Sequence, residues 1–167
     1  MVVLKRLDDA LEHGDTIRCA IRHTAVGQDG KTSGMTVPNG DAQVDLIQSV
    51  YQSVGLNPCE IGYVEAHGTG TVAGDVTEIR AITKAFCEGR DIDRPLYVGS
   101  IKANVGHLES TSGLAGLLKA MLVLQKGMIP PTPTLETLKA KLDLKSANIK
   151  VPCTVRLPLL DYSLDLP

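Results

Sequence analysis

Apolar positions recur along this chain with two periods, and the period predicts the element. Over residues 16–24, Ile17, Cys19 and Ile21 alternate with Arg18 and Arg22, the pattern of a half-buried strand. The runs 2–4, 61–66 and 96–101, the last preceded by Pro95, also read as strands. Val44, Ile47, Val50, Tyr51 and Val54 fall on one face of a helix over 41–54 that Gly55 stops. Asp75 opens another helix with Glu78 three residues on, the spacing of a capping box. Ile79, Ile82 and Phe86 form its apolar stripe up to Gly89. Leu114, Leu117, Leu118, Met121 and Leu122 mark a long helix over 110–126. Its Gly113, Ala115, Gly116 and Ala120 permit close backbone approach, so it is expected deep in the core.

Shorter signals fill the gaps. Residues 8–13 read as a helical turn closed by Gly14, and 28–40 as a loop. The segment 102–109 is polar and turn-like. Pro130, Pro131 and Pro133 force an extended stretch. A surface helix is expected over 134–141, then a short strand from Ala147 and a Pro-containing tail. After the first two strands, strands and helices alternate, which predicts an α/β fold, a mixed sheet covered by helices.

Composition narrows the function. A chain of 167 residues suits one domain or a large piece of one, and needs no disulfides to hold its core. A net charge of -2 argues against nucleic-acid binding by bulk charge, and four Tyr, one Phe and no Trp against base-stacking platforms. No apolar run approaches the ~20 residues of a membrane span, and the start MVVLKRLDDA lacks the apolar stretch of a signal peptide. Cys19, Cys59, Cys87 and Cys153 stand far apart with no C-x-x-C pair, so neither zinc nor a disulfide framework is suggested. A reducing, cytoplasmic compartment is the simplest expectation.

Two constellations carry candidate chemistry. In YVEAHGTGT at 63–71, His67 sits where a strand ends, the place where α/β sheets bind ligands. The glycines admit a substrate to the backbone, and the hydroxyls of Thr69 and Thr71 can bond a ligand amide. A capped turn with a satisfied histidine remains the alternative. In GSIKANVGHLE at 99–109, a second strand end delivers Lys102, Asn104, His107 and Glu109 into the start of the long helix. Such groups are costly to hide unless hydrogen-bonded, which places His107 in a pocket or network; a plain helix cap by Glu109 or Ser110 is the alternative. Two neutral imidazoles donating toward one point can stabilise an oxyanion or enolate, with Lys102 holding the network in the right protonation state. No Ser or Cys has a convincing nucleophile context, and no metal-ligand spacing stands out.

EAHGTGT at 65–71 and GSIKANVGHLE at 99–109 resemble the two histidine motifs of β-ketoacyl synthases, above all the ketosynthase domain of type I polyketide synthases. The resemblance extends to VVLKRLDDAL near the start, VGQDGKTSGMTVPNGDAQ at 26–43 and GDVTE at 74–78. IPPTPTLETL at 129–138 and LDLKSANIKVP are similar to fungal highly reducing synthases. Val76 stands where the family usually has a proline.

The resemblance implies a thiolase-like fold of which this chain is the C-terminal half, with 1–128 the ketosynthase C-terminal domain and 129–167 an extension and start of a linker. It implies decarboxylative condensation of acyl and malonyl units held on the phosphopantetheine of an acyl carrier protein. His67 matches the first catalytic histidine, His107 the second and Lys102 the supporting lysine. Thr69 and Thr71 match threonines that contact the phosphopantetheine arm, and Glu109 is a network partner of Lys102. The family's nucleophilic cysteine, in an Asp-Thr-Ala-Cys-Ser-Ser type segment, has no counterpart here, so inactivity alone is expected. No bound cofactor or metal is expected. The partners implied are the carrier protein, an N-terminal ketosynthase half and a second copy in a homodimer, with no nucleic acid or membrane. The other reading is a non-enzymatic fragment that binds a carrier protein or ketosynthase partner.

Overall fold

Three parallel strands form the sheet of the computed structural model, which describes residues 1–32, 34, 37–133 and 142–156. The strands are β1 (Tyr63–Glu65), β2 (Leu96–Gly99) and β3 (Ile149–Lys150), in the order β1-β2-β3. Tyr63 pairs with Tyr97, Val64 with Val98 and Glu65 with Gly99. Antiparallel pairing is confined, among the described residues, to the bridge between Ile129 and Arg156.

β2 is buried along its whole length, as a strand covered on both faces must be. Alternation then sorts the side chains. Leu96 and Val98, with Ala66, face a core built from Ile82, Ala85 and Phe86 of α3 (Val72–Phe86) and from Leu144, Ala147 and Ile149. Tyr97, with Tyr63 packed beside it, faces Val123 of α5 (Ser112–Lys126) and Ile129. Helix α2 (Gly40–Ser53) packs on α3, and Tyr51 meets Phe86 edge to face at 5.4 Å. Asn39 caps α2 by accepting the N–H groups of Asp41 and Ala42. The turn predicted before Gly14 is α1 (Leu7–Glu12).

Four expectations need correction or redrawing. The runs 2–4 and 16–24 form no ladder among the described residues. Val3 is 83% and Ile21 46% exposed. Period-two alternation reports which side chains face the same way, but a strand also needs a neighbour to take its backbone N–H and C=O groups. The polar segment 102–109 contains one helical turn, α4 (Lys102–Val105), and a 3-10 turn over Glu109–Thr111 leads into α5, two residues later than predicted.

α5 does not lie deep. Its inward stripe is Gly116, Lys119, Ala120 and Val123, whereas Leu114, Leu118 and Leu122 point outward and are 39–52% exposed. The small residues let the helix approach β1 closely, as their sizes suggested, but among the described residues the outward leucines remain partly in water. The helix predicted over 134–141 lies outside the described residues. No helix among the described residues is long and apolar enough to cross a membrane.

Candidate active site

Parallel pairing of β1 with β2 brings both histidine segments out at the same end of the sheet. There the rings of His67 and His107 lie 5.8 Å apart, centroid to centroid, with their planes at 88°.

The His67 loop is held by carboxylates from the helix that follows it. Glu78 accepts the N–H of His67 at 2.6 Å and that of Gly68 at 2.9 Å, one on each oxygen. Asp75 accepts the N–H of Gly70 at 3.0 Å. The capping box expected between Asp75 and Glu78 is therefore not formed. Helix α3 begins three residues earlier, capped by Thr71, whose Oγ1 accepts the N–H of Gly74 at 3.2 Å. Thr69 Oγ1 lies 3.5 Å from that oxygen. Gly68 meets the other strand end: a Cβ there would come within 2.8 Å of Ser100 Cβ, and Ser100 donates its hydroxyl to the His67 carbonyl.

His107 is aimed by the backbone before it. Gly106 has φ 76° and ψ −179°, a conformation essentially closed to residues with a Cβ. His107 Nδ1 accepts the N–H of Glu109 at 2.9 Å. A ring nitrogen that accepts carries no proton, so this network assigns the neutral ring's proton to Nε2. The Glu109 carboxylate stands 3.8 Å from the same nitrogen, a contact that becomes an ion pair only when the ring is protonated. Lys102 lines, with Glu65, His67, Gly113, Gly116 and Leu117, a cleft of about 290 Å³. A larger cleft of about 550 Å³, lined among others by Lys31, Asn39, Arg80 and Lys84, contains neither histidine. The smaller one is lined by His67 but not by His107.

Below the cleft lies a polar network that sequence reasoning missed. Lys119 of α5, 6% exposed, reaches Oε2 of Glu65, 10% exposed, at 3.0 Å. Tyr63 donates its hydroxyl to the same carboxylate, and Ile101 donates its N–H to Oε1 at 2.5 Å. Burial, then the hydrogen bond and the charge of Glu65, push the Tyr63 hydroxyl well above its usual range. Gly99 leaves the room, since a Cβ there would stand 2.9 Å from the Tyr63 oxygen and 3.2 Å from Lys119 Nζ. Glu65 thereby ties both strand ends to α5. The one sequence signal was a lysine on the small-residue stripe of a leucine-rich helix. None of the four cysteines lines the cleft. Burial pushes the Cys87 thiol up, and Cys59 Sγ lies 3.1 Å from the Glu88 carbonyl.

Comparisons with known proteins point to one family. The family model for the β-ketoacyl synthase C-terminal domain matches residues 18–136. A highly reducing polyketide synthase of Sordaria araneosa is 52% identical over 155 residues, covering 93% of this chain and 5% of that protein. One from Aspergillus luteorubrus is also 52% identical, over 160 residues, again covering 5% of the relative. Among solved structures, the ketosynthase from module 6 of the Bacillus subtilis bacillaene synthase superposes with a TM-score of 0.85 at 33% identity, covering 92% of this chain and 28% of that one. An oxazolomycin ketosynthase domain of Streptomyces albus gives 0.85 at 36% identity, covering 92% and 26%. The chain belongs to the β-ketoacyl synthase family, matching its C-terminal domain, and has the thiolase-like α/β fold of a ketosynthase.

Proposed function

We propose that this chain supplies the decarboxylating side of a polyketide synthase ketosynthase site, with His67 and His107 as catalytic residues and Lys102 as their support. The observation that carries this reading is the meeting of the two imidazoles at one sheet end, with His107 Nδ1 already accepting a hydrogen bond and Nε2 left to donate. Malonyl thioester on a carrier protein loses its carboxyl group as carbon dioxide. The electron pair of the broken C–C bond becomes an enolate, whose oxygen takes hydrogen bonds from the two rings. The enolate carbon attacks an acyl thioester, forming the new C–C bond and expelling the cysteine thiolate that held the acyl group. That cysteine comes from an N-terminal ketosynthase half, because none of the four here is set to act. Acylation therefore fails on this chain alone. Thr69, beside the cleft loop, bonds the phosphopantetheine arm. Thr71 helps to shape that loop, since its hydroxyl already caps α3.

Residues 129–167 are read as the extension that follows the ketosynthase, whose part 142–150 completes the sheet. The setting is a reducing cytoplasm. The exposed leucines of α5 fit the second partner, the N-terminal half, better than a free-standing binding fragment. A helix apolar on most of its circumference is normally covered all round.

The test joins this chain to a matching N-terminal half and measures carbon dioxide release from malonyl-carrier protein beside a separate acyl-loading assay. His67→Ala and His107→Ala are each expected to slow release by about 10²–10³, the usual cost of losing one preorganised donor, while loading suffers less. Unchanged release removes both residues from this role.

A further inference from the structure

A carboxylate in the wall of a site that must take an anion poses a problem. Glu65 lines the same cleft as His67 and Lys102. On the ketosynthase reading, that cleft receives a malonyl carboxylate and then an enolate, both negative. Glu78 and Glu109 add negative charge behind His67 and His107. Lys102 alone would be left to balance Glu65. The structure provides a second cation in an unusual place: Lys119 is 6% exposed, on the inward stripe of α5, 3.0 Å from Glu65 Oε2. Its partner strand carries glycine at position 99, where any side chain would crowd the ammonium.

We infer that Lys119 is a positioning residue that neutralises Glu65 from beneath and so lets the cleft accept an anionic acyl group; this deepens the ketosynthase reading and rests on it. Glu65 keeps its structural work, accepting the Tyr63 hydroxyl and the Ile101 N–H and fixing the strand end that leads to His67. Lys119 touches no substrate and acts through that carboxylate. With Lys119 in place, Glu65, Lys102 and Lys119 sum to one positive charge around the cleft. Without it they sum to zero, and Glu65 in the wall loses the cation 3.0 Å from its Oε2. Charge repulsion across a partly desolvated site is large enough to change anion affinity on the order of tenfold to a hundredfold.

The experiment titrates this chain, joined as above to a matching N-terminal half, with malonyl-pantetheine and, as the uncharged control, acetyl-pantetheine, by calorimetry or NMR. Lys119→Met is expected to weaken malonyl binding on the order of tenfold or more and to leave acetyl binding in place. Lys119→Arg retains malonyl binding, and Glu65→Gln/Lys119→Met recovers it by removing the exposed charge. Glu65→Gln alone, which does not require Lys119→Met to fold, tightens malonyl binding relative to acetyl. A purely structural lysine would weaken both probes together. That result, or malonyl binding unmoved in Lys119→Met and Glu65→Gln, overturns the inference alone. A wild-type joined protein that binds neither probe overturns the inference, whereas carbon dioxide release unmoved by His67→Ala and His107→Ala in that protein overturns the ketosynthase reading and the inference with it.

Discussion

Tyr63 shows at a single side chain how burial and a neighbouring charge combine. Burial acts first, then the hydrogen bond to Glu65 and the charge of that carboxylate; all three hold the phenol protonated above its ordinary value of 10.0. A group whose folded value is raised contributes stability that is whole below the unfolded value and fades as pH climbs past it. The thermal midpoint is therefore expected to fall as pH rises through about 10, where the unfolded chain releases this proton and the folded chain cannot. Tyr63→Phe flattens that alkaline fall. It also lowers the midpoint at neutral pH, because a buried acceptor loses a donor at a cost of about 1–3 kcal/mol. Melting curves of both proteins from pH 7 to pH 11 check both signs, and a parallel alkaline fall in the two proteins refutes the account. At this scale the sequence was a partial guide. His67, His107 and Lys102 stood out because polar residues at strand ends are conspicuous. Lys119 did not, because nothing in a one-dimensional pattern says which side of α5 meets the sheet, and a lysine between leucines reads as solvated.

The connection between β1 and α3 is the element that sets the His67 position. Asp-Val-Thr-Glu at 75–78 has the spacing of a helix cap, yet Asp75 and Glu78 turn back to hold the loop before the helix. Capping is local and legible. A clamp across eleven residues depends on where the chain folds back, which spacing does not reveal. Glu78→Ala strips two backbone N–H groups of their acceptor at once. It is expected to lower stability by about 2 kcal/mol or more and to speed hydrogen exchange at the His67 and Gly68 amides. Glu78→Gln keeps one acceptor and gives an intermediate effect. Protected amides in Glu78→Ala would show that something else holds the loop. The same contrast explains the other elements. Helices α2 and α5 end beside Gly55 and Gly127, as predicted, because a helix makes its hydrogen bonds within its own segment. The runs 2–4 and 16–24 were misread as strands because pairing is a property of two segments and the pattern describes one.

At the scale of the molecule, the described chain packs one side of α5 on the sheet and leaves the other in water. Leu114, Leu117, Leu118, Leu122 and Leu124 are between 36% and 54% exposed. The leucine spacing was legible from the start; its destination was not, since an apolar stripe signals burial without naming what buries it. The chain covers 28% and 26% of the two solved ketosynthases. Covering a leucine side chain is worth about 1.5–3 kcal/mol, and several adjacent ones exceed the exposure that monomers usually tolerate. The lone chain is therefore expected to self-associate with rising concentration in sedimentation velocity experiments. Leu118→Glu/Leu122→Glu, which alters outward positions and spares the Lys119 stripe, should return it to a monomer with little change in the melt. The same double change should abolish assembly with a ketosynthase N-terminal half supplied in trans, because that half would have to cover the same leucines. A wild-type chain that stays monomeric, with a sharp reversible melt, would make the leucine face an ordinary solvated surface and remove the argument that another part of the ketosynthase rests on it.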